Sequence, residues 1–483
     1  MKFFVLCLII KLICSQCPII NWSESENVDL FEKYSTKWIS QNLPSSTIAY
    51  SSYYATLKTP AQNIVFYFCN TKQPDINDVA NPTYVEIGNL NSLAVTDMQA
   101  LGFLERLDIN LYSKLKVVSP ISKVFIPCLQ KLVEDKSIKE TAETSDTIDL
   151  LLGSKNSLSL PEIKSIQFKE NLLAFNTPLS RSEIGFLIIS TLFPQVKGLE
   201  TFSNISKQYN CIALAGKSVE NGGMNKEPLK NVVWSEMVNG TWTSPDFEYN
   251  KVLMKDIGMN LVTLESGISN SSFSELLYKT DVIVDVTNQI SGIAEFLKIA
   301  LDNPDTKNKP AVTVMTGFTL KLDKLLNTEG GGSAYENTGY SRPDFMLIDF
   351  QKEIFPNWNP NYLHSIYVRN LSPGDTPIHR TSADCSQSLP TLTCPAIVVP
   401  KGLNDDSTSG NKNSETLKGG IGFATIAGII IAILIVAGIV AGYLFRRRSN
   451  AATKNIPIEN GGQGKFVKMD GGNEEIPLKT IRK

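Results

Sequence analysis

Short apolar runs alternate with longer amphipathic stretches between about residue 45 and residue 382. Several of the short runs are apolar at consecutive positions, which is typical of strands covered on both faces. They lie at Ile64–Phe68, Lys116–Val118, Thr147–Leu152, Asn231–Trp234, Asn260–Leu264, Asp281–Val286, Ala311–Thr316, Phe345–Asp349 and Ser365–Val368. The helical stretches lie at Thr96–Leu107, Ser122–Val133, Pro245–Ile257, Gln289–Leu301 and Leu320–Leu325. This alternation predicts an α/β protein with open, mainly parallel sheets.

The middle of the chain has a different pattern. Leu179–Tyr209 is apolar at helical intervals, and Ser180 and Glu183 have capping-box spacing at its start. It predicts one long helix between two α/β lobes, and Pro194 should kink or split that helix. A cleft between two lobes is the usual place for a ligand.

Two further apolar segments lie near the ends of the chain. Phe3–Ile10 is too short to span a bilayer and indicates a secretory signal peptide. Cys17 after this run also permits a bacterial lipoprotein signal. Gly419–Phe445 carries no charge and Arg446-Arg447-Arg448 follows it, as in a stop-transfer helix with its C-terminal side in the cytoplasm. We therefore expect a single-pass type I protein of the plasma membrane or an endomembrane.

These features divide the chain into seven predicted parts, all read from the sequence. They are a signal peptide (1–16), an N-terminal α/β lobe (17–178), the linking helix and connection (179–224), a C-terminal α/β lobe (225–400), a flexible stalk (401–418), a transmembrane helix (419–445) and a cytoplasmic tail (446–483). The stalk lacks clusters of aromatic or β-branched residues, so it cannot form a core of its own.

Composition argues against several classes of function. The 483 residues have a formal net charge of −2, which gives no basic surface for nucleic acid. The two histidines, His364 and His379, leave little room for a histidine metal cage or a nucleophilic triad. We therefore expect no catalytic residue, no metal cage and no resident cofactor.

Cysteines and sequons are consistent with an extracellular or luminal ectodomain. Outside the signal peptide the six cysteines are Cys17, Cys69, Cys128, Cys211, Cys385 and Cys394, for which fifteen pairings are possible. The prediction pairs Cys69 with Cys128 inside the first lobe, and Cys385 with Cys394 in a local loop. Candidate glycosylation sites are Asn21, Asn204, Asn239, Asn270 and Asn370.

Eight stretches together resemble the periplasmic-binding-protein-like receptors that bind iron siderophores, haem or cobalamin, and specifically their membrane-anchored eukaryotic relatives. The stretches follow the family's order over about 330 residues: Tyr50–Leu57, Val65–Asn70, Val118–Leu129, Val232–Trp242, Tyr249–Gly258, Asp281–Thr287, Arg342–Asp349 and Tyr367–Leu371. The resemblance implies two α/β lobes joined by one helix, moving little around a ligand that is bound without chemistry.

The sequence departs from that family in three places. Pro194 lies inside the linking helix, and a transmembrane helix replaces a lipid anchor. After the glycine run Gly330-Gly331-Gly332, relatives tend to have a Trp-Phe pair, whereas this chain has Tyr335-Glu336. The last departure bears directly on the expected ligand contacts.

Six side chains are candidate ligand contacts: Tyr50, Tyr53, Trp234, Trp242, Tyr335 and Arg369. Aromatic rings at strand ends can stack on a flat ligand, and an arginine fork suits a carboxylate or phosphate. The ordinary alternatives are core packing for each aromatic residue and a structural salt bridge for Arg369. Trp242 is the aromatic residue that we expect in an exposed loop.

Two functions from different classes remain open at this point. The first is a non-catalytic cell-surface receptor that captures a small ligand, such as an iron chelate, in the cleft between the two lobes and passes it to a transporter or an endocytic partner. The second is an adhesion or sensing ectodomain that binds another macromolecule. An anchored enzyme has least support, because no G-x-S-x-G motif lies near the histidines.

Overall fold

The computed structural model describes Cys17, Leu392 and residues 28–386, apart from 36, 45–46, 142–146, 155–157, 159–162, 219–229, 265–266, 288–289, 301–317, 328–330, 356–361, 363 and 373. All the described residues belong to one compact unit, Met1–Gly402. The predicted signal peptide, Asn21, Cys394, the stalk, the segment 419–445 and the tail lie outside the described residues.

The described elements alternate between strands and helices. The strands are β1 (Ile48–Tyr50), β2 (Tyr54–Lys58), β3 (Asn63–Phe68), β4 (Thr83–Ile87), β5 (Leu93–Val95), β6 (Leu115–Val118), β7 (Leu150–Leu152), β8 (Ser165–Ile166), β9 (Asn231–Val238), β10 (Thr241–Thr243), β11 (Asn260–Val262), β12 (Val282–Asp285), β13 (Thr319–Lys321), β14 (Leu325–Asn327), β15 (Arg369–Asn370) and β16 (Ile378–Arg380). The α-helices are α1 (Leu30–Tyr34), α2 (Gln99–Leu107), α3 (Pro127–Glu134), α4 (Phe168–Leu173), α5 (Pro178–Leu192), α6 (Gly198–Ser218), α7 (Phe247–Asp256), α8 (Asn270–Leu277), α9 (Ile293–Ala300), α10 (Ala334–Thr338) and α11 (Pro343–Ile354).

The N-terminal half contains two four-stranded sheets. The first has the order β1-β2-β3-β4, in which β3 pairs antiparallel with β2 and parallel with β4. Strand β3 is buried at five consecutive positions, Ile64 to Phe68, because both of its faces are covered. The second sheet has the order β6-β5-β7-β8 and is parallel throughout.

The C-terminal half has one larger, mixed sheet. Strands β11, β9, β12 and β13 are parallel, while β10 and β15 add antiparallel edges. Strands β14 and β16 form a separate parallel pair. Since β11 and β12 lie on opposite sides of β9, the chain reverses its direction of winding at β9. The ligand crevice of an open α/β sheet lies at such a switch point, beyond the carboxyl ends of its strands.

The connection between the halves consists of two helices, not one long helix. Helix α5 ends at Leu192 and α6 begins at Gly198, so Pro194 splits the helix. The predicted capping box at Ser180 and Glu183 is also wrong: α5 is capped by Thr177, with Ser180 at the third helical position. Buried Glu183 instead accepts hydrogen bonds from Trp38 Nε1 and from the backbone N–H groups of Gln41 and Asn42.

Three further segments differ from the prediction. Phe345–Asp349 lies within α11 rather than in a strand; the whole segment is buried, which removes the polar face that distinguishes a helix. Leu320–Leu325 is not a helix but runs from β13 to the first residue of β14. Ser365–Val368 precedes the two-residue strand β15, and Ala311–Thr316 lies outside the described residues.

The two halves share a hydrophobic core. One cluster of buried side chains includes Phe66 and Phe103 from the N-terminal half, Phe186 from α5, and Trp234 and Phe345 from the C-terminal half. Gly102 of α2 shows how closely the halves pack, because a Cβ atom there would lie 2.4 Å from the carbonyl oxygen of Asn337. The halves are therefore packed together over a continuous apolar contact.

The disulfides differ from the predicted pairs. Cys69 bonds to Cys17, and Cys128 bonds to Cys385. Neither the Cys69–Cys128 nor the Cys385–Cys394 pairing is therefore formed, and Cys211 is disulfide-bonded as well. The predicted pairs rested on proximity in the sequence and on an assumed position in the first lobe. In the structure Cys128 faces the 3-10 helix Ser382–Ser386, which packs on α3.

Within the described part of the chain, no helix has both the length and the apolar character needed to cross a membrane. The sequons differ in their surroundings: Asn204 and Asn239 are exposed, Asn270 is half-buried, and Asn370 is 8% exposed. Asn270 Oδ1 accepts a hydrogen bond from Trp242 Nε1, and Asn370 Oδ1 accepts one from the backbone N–H of Ser372. Glycosylation at these positions remains a prediction.

Candidate functional site

A cavity of about 580 Å³ opens beside the carboxyl ends of β12 and β13. Its apolar walls come from Val286, Ile290, Leu322, Leu326 and Pro377, and its charged groups from Lys123, Lys321, Asp323, Glu336 and Arg369. Tyr335 and the small residues Ser291, Gly331 and Ser333 also line it. Two of the six predicted ligand contacts, Tyr335 and Arg369, therefore meet in one cavity.

Arg369 is held by the protein itself. The guanidinium group binds Asp323 through two parallel hydrogen bonds, the Nη2–Oδ2 distance being 2.7 Å. It also donates to the backbone oxygens of Asp375, at 2.9 Å, and Ser291, at 3.0 Å. Four of its five N–H donors are thus engaged. These contacts fit a structural arginine that joins β13, β15 and the start of α9.

Asp349 fixes the chain segment that ends in Arg369. Its Oδ2 accepts hydrogen bonds from the backbone N–H groups of Ile366 at 2.8 Å, Tyr367 at 2.5 Å and Val368 at 3.3 Å. Its Oδ1 accepts a fourth from the hydroxyl of Tyr362 at 2.5 Å. Complete burial raises the pKa of this carboxyl to about 7, although all four hydrogen bonds lower it.

Lys321 of β13 is the direct cross-strand neighbour of Arg369 and is also paired. Its ammonium group lies 3.2 Å from Asp285 Oδ2 and donates to the backbone oxygen of Thr287 at 2.6 Å. Lys321 is 6% exposed and Asp285 is fully buried behind it. Burial raises the pKa of Asp285, and the nearby ammonium group opposes that rise. The positive charge of Lys321 is therefore balanced from within the protein.

Tyr335 connects the cavity to a cluster of aromatic and charged side chains. The centre of its ring lies 6.1 Å from that of Tyr340, and the Arg181 guanidinium of α5 lies 5.5 Å from the centre of the Tyr340 ring. The Arg181 guanidinium lies 4.4 Å from the centre of the Tyr249 ring and forms a bidentate ion pair with Asp246. The position of Tyr335 is therefore linked to the helix that connects the two halves.

The N-terminal half supplies one wall of the cavity through the segment 122–125. Asn337 Nδ2 donates to the backbone oxygen of Lys123 at 3.0 Å, and its Oδ1 accepts from the N–H of Phe125 at 3.0 Å. Asn327 Nδ2 donates to the backbone oxygen of Ser122 at 2.6 Å. These amide contacts hold the backbone around Lys123 against Asn327 and Asn337.

The other four predicted contacts are not part of this cavity. Tyr50 accepts a hydrogen bond from the N–H of Trp38, and burial raises the pKa of its hydroxyl to about 12. Tyr53 packs edge-on against Tyr54, and Trp234 is 1% exposed against Phe350. Trp242 was expected in an exposed loop, but it is fully buried in β10 and stacks on Phe273.

Sequence reasoning missed Lys123, Lys321 and Glu336. Lys321 is a charged residue at the end of the short, buried strand β13. A lysine directly after apolar strand residues is a signal that could have identified it. Glu336 adjoins the Tyr335 that was selected, and nothing in the sequence places Lys123 beside either residue. Among the described residues, no group of three or more His, Cys, Asp or Glu side chains is arranged to hold a metal ion.

Comparisons with known proteins find similarity only at the level of structure. No protein-family model matches the chain, and no curated protein does. Solved structures that are similar include a periplasmic binding protein from Veillonella parvula DSM 2008, with 11% identity and a TM-score of 0.41, covering 57% of this chain and 88% of that one.

Two others bind ligands named in their descriptions. A periplasmic heme binding protein from Pseudomonas aeruginosa has 13% identity and a TM-score of 0.35, covering 58% of this chain and 98% of that one. FhuD2 from Staphylococcus aureus with bound ferrioxamine B has 13% identity and a TM-score of 0.35, covering 56% and 100%. TM-scores this low are no evidence for a ligand or an activity of this chain.

Proposed function

We propose that this protein is a non-catalytic receptor that captures a small molecule in the cavity lined by Tyr335, Lys321 and Arg369. The observation that carries the proposal is the cavity itself. Its volume of about 580 Å³ lies within the range of small-molecule sites, and it combines apolar walls with a few fixed polar groups. It also lies beyond the carboxyl ends of parallel strands, where open α/β sheets bind ligands.

The proposed receptor lies at the cell surface or in an endomembrane as a single-pass type I protein. The two apolar segments of the sequence, Phe3–Ile10 and Gly419–Phe445, motivate this topology. The Cys17–Cys69 and Cys128–Cys385 disulfides are consistent with folding in an oxidising compartment. Because Cys17 is disulfide-bonded, its thiol is not free for a lipid thioether, which argues against the lipoprotein alternative.

Thermal unfolding of the full-length chain in detergent tests the proposal. Candidate ligands are ferric siderophores, haem, cobalamin, amino acids and short peptides. A ligand that binds only the native state raises the melting temperature. Val286→Phe places a larger side chain in the cavity and should abolish the shift, whereas Val238→Phe, at an exposed strand end, should not.

Two results would contradict the proposal. One is a melting temperature that none of these compounds changes; it would favour an ectodomain that binds another macromolecule. The other is a shift of the same size in the Val286→Phe variant and the parent chain, which would place the ligand elsewhere. Transfer of the ligand to a transporter or by endocytosis is a separate step that this measurement does not address.

A further inference from the structure

The charges that line the cavity are mostly neutralised within the protein. Arg369 is paired with Asp323, and Lys321 is paired with the buried Asp285. Two charged lining groups are left, Lys123 and Glu336, and neither has an ion pair with another described residue. Among the described lining residues, the cavity therefore presents one free positive and one free negative charge.

These two charged residues come from opposite halves of the molecule and line the same cavity. Asn337, the residue after Glu336, donates a hydrogen bond to the backbone oxygen of Lys123. Glu336 is half-buried on α10, and Lys123 is exposed. A direct ion pair at such an exposed position would be worth only about 0–1 kcal/mol, so a ligand could replace it readily.

The remaining lining indicates the character of the uncharged part of the ligand. Val286, Ile290, Leu322, Leu326 and Pro377 form an apolar surface, which a hydrocarbon portion of the ligand would cover. Of the described lining residues, Lys123 is the one free cation that a ligand with a large net negative charge would meet, and the carboxylates of Asp323 and Glu336 line the same cavity. This charge balance does not favour a polyanionic chelate.

We propose that the ligand is a zwitterion with an apolar body, whose ammonium group binds Glu336 and whose carboxylate binds Lys123. This inference rests on the proposed function, because it assigns a ligand class to the same cavity. Free amino acids with apolar side chains and short apolar peptides share this chemistry. Each end would form a charge-assisted hydrogen bond, the stronger class of hydrogen bond in proteins.

Calorimetric titration of the full-length chain in detergent with four forms of one dipeptide tests the charge requirement. The probes are leucyl-leucine, its N-acetyl derivative, its amide, and the doubly blocked N-acetyl amide; free leucine distinguishes an amino acid from a peptide. We expect leucyl-leucine to bind more tightly than each singly blocked form by about tenfold or more. Equal affinity for the doubly blocked form would overturn the zwitterion assignment.

Two variants assign the ends of the probe. Glu336→Gln should weaken the binding of leucyl-leucine more than that of its N-acetyl derivative, because only leucyl-leucine has the ammonium group that Glu336 binds. Lys123→Gln should weaken the binding of leucyl-leucine but leave the affinity for its amide unchanged, because the amide lacks the carboxylate that Lys123 binds. Glu134→Gln and Lys131→Gln remove exposed charges from α3, outside the cavity lining, and serve as matched controls. Loss of affinity in the controls, or none in Glu336→Gln and Lys123→Gln, would contradict the assignment.

The outcomes separate this inference from the proposed function. If an uncharged or polyanionic compound binds and Val286→Phe abolishes its binding, the receptor proposal stands and the zwitterion assignment is wrong. If no small molecule binds, the receptor proposal itself fails. If leucyl-leucine binds with the same affinity in the Val286→Phe variant, the peptide occupies a different site and both statements are wrong for this cavity.

Discussion

Asn337 of α10 and Lys123 of the N-terminal half are joined by a hydrogen bond of 3.0 Å from the side-chain amide to the backbone oxygen. The same amide group accepts a hydrogen bond from Phe125 N–H. One asparagine therefore satisfies two backbone groups on a segment that has no regular partner strand. The cavity depends on this contact, because it positions the wall that carries Lys123.

Gly332 allows the backbone of Lys123 to pack closely against it, and replacement of Gly332 should disrupt this packing. A Cβ atom at Gly332 would lie 2.3 Å from the carbonyl oxygen of Lys123 and 2.5 Å from its carbonyl carbon. Since backbone atoms cannot move aside cheaply, Gly332→Ala should lower the free energy of unfolding by about 1–3 kcal/mol. Gly292→Ala, where nothing lies within 4 Å, is the control and should change it little. Equal stabilities in urea denaturation would show that the wall is not tightly packed.

The two described disulfides close chain segments of very different length. Cys128 and Cys385 are 257 residues apart, and Cys17 and Cys69 are 52 apart. In the loop-entropy model, replacing the first pair by serine should cost about 5–6 kcal/mol and the second about 4 kcal/mol. Denaturant titration of the two double variants measures this order. A non-reducing peptide map should contain both cross-linked peptides, and a peptide linking Cys69 to Cys128 would contradict the described pairing.

The strands and helices with a clear pattern could be predicted from the sequence, although β9 continues to Val238, beyond its predicted end at Trp234. β3, β9, β12, α2 and α7 fall within the predicted segments or overlap most of them. The errors have a physical cause in burial. α11 is buried at nearly every position, so its sequence lacks a polar face and resembles a strand. Trp242 follows a turn in sequence, yet its ring is stacked on Phe273 inside the C-terminal half.

The candidate site could be predicted only in part for a related reason. Tyr335 and Arg369 were selected, and the structure brings them into one cavity. Lys123 lies more than 200 positions from Glu336, and their proximity depends on the Asn337 contact, which has no signature in sequence spacing. The roles of Glu183 and Cys385 were missed in the same way, since their partners lie far away along the chain.

The ion pair between Arg181 and Asp246 ties the connecting helix α5 to the C-terminal half. The side chain of Arg181 is 1% exposed and that of Asp246 is 27% exposed. Asp246→Asn leaves the buried guanidinium without a counter-charge but keeps a residue that tolerates the positive φ of 51° at this position. We expect a loss of about 3 kcal/mol in the free energy of unfolding.

The exposed pair Lys197–Glu200 is the matched comparison for Asp246→Asn. Its side chains are 81% and 63% exposed, so Glu200→Gln should change stability by less than about 1 kcal/mol. Chemical denaturation of both variants at the same pH gives the two values. A loss for Asp246→Asn no larger than that for Glu200→Gln would mean that burial of Arg181 does not require the carboxylate.

Asp349 should make stability fall as the pH rises. Burial raises the pKa of its carboxyl in the native protein to about 7, from 3.8 in an unfolded chain. Between these two values the native state holds a proton that the unfolded state has lost. The unfolded state then binds fewer protons, so the free energy of unfolding decreases with increasing pH over this window. Below about pH 4 both states are protonated and the contribution of Asp349 is constant.

Asp349→Asn removes the titrating carboxyl group. It therefore tests directly whether Asp349 makes the free energy of unfolding decrease with rising pH. Urea denaturation across the window from about pH 4 to about pH 7 should show a flatter pH dependence for the variant than for the parent chain. The amide oxygen can still accept from Ile366, Tyr367 and Val368, but the Tyr362 hydroxyl loses its acceptor, so stability should also drop by about 1–3 kcal/mol. Asp135→Asn, an exposed carboxylate beyond α3, should leave the slope unchanged. If Asp349→Asn has the same slope as the parent chain, or a steeper fall with rising pH, then the hydrogen bonds to the carboxylate outweigh its burial.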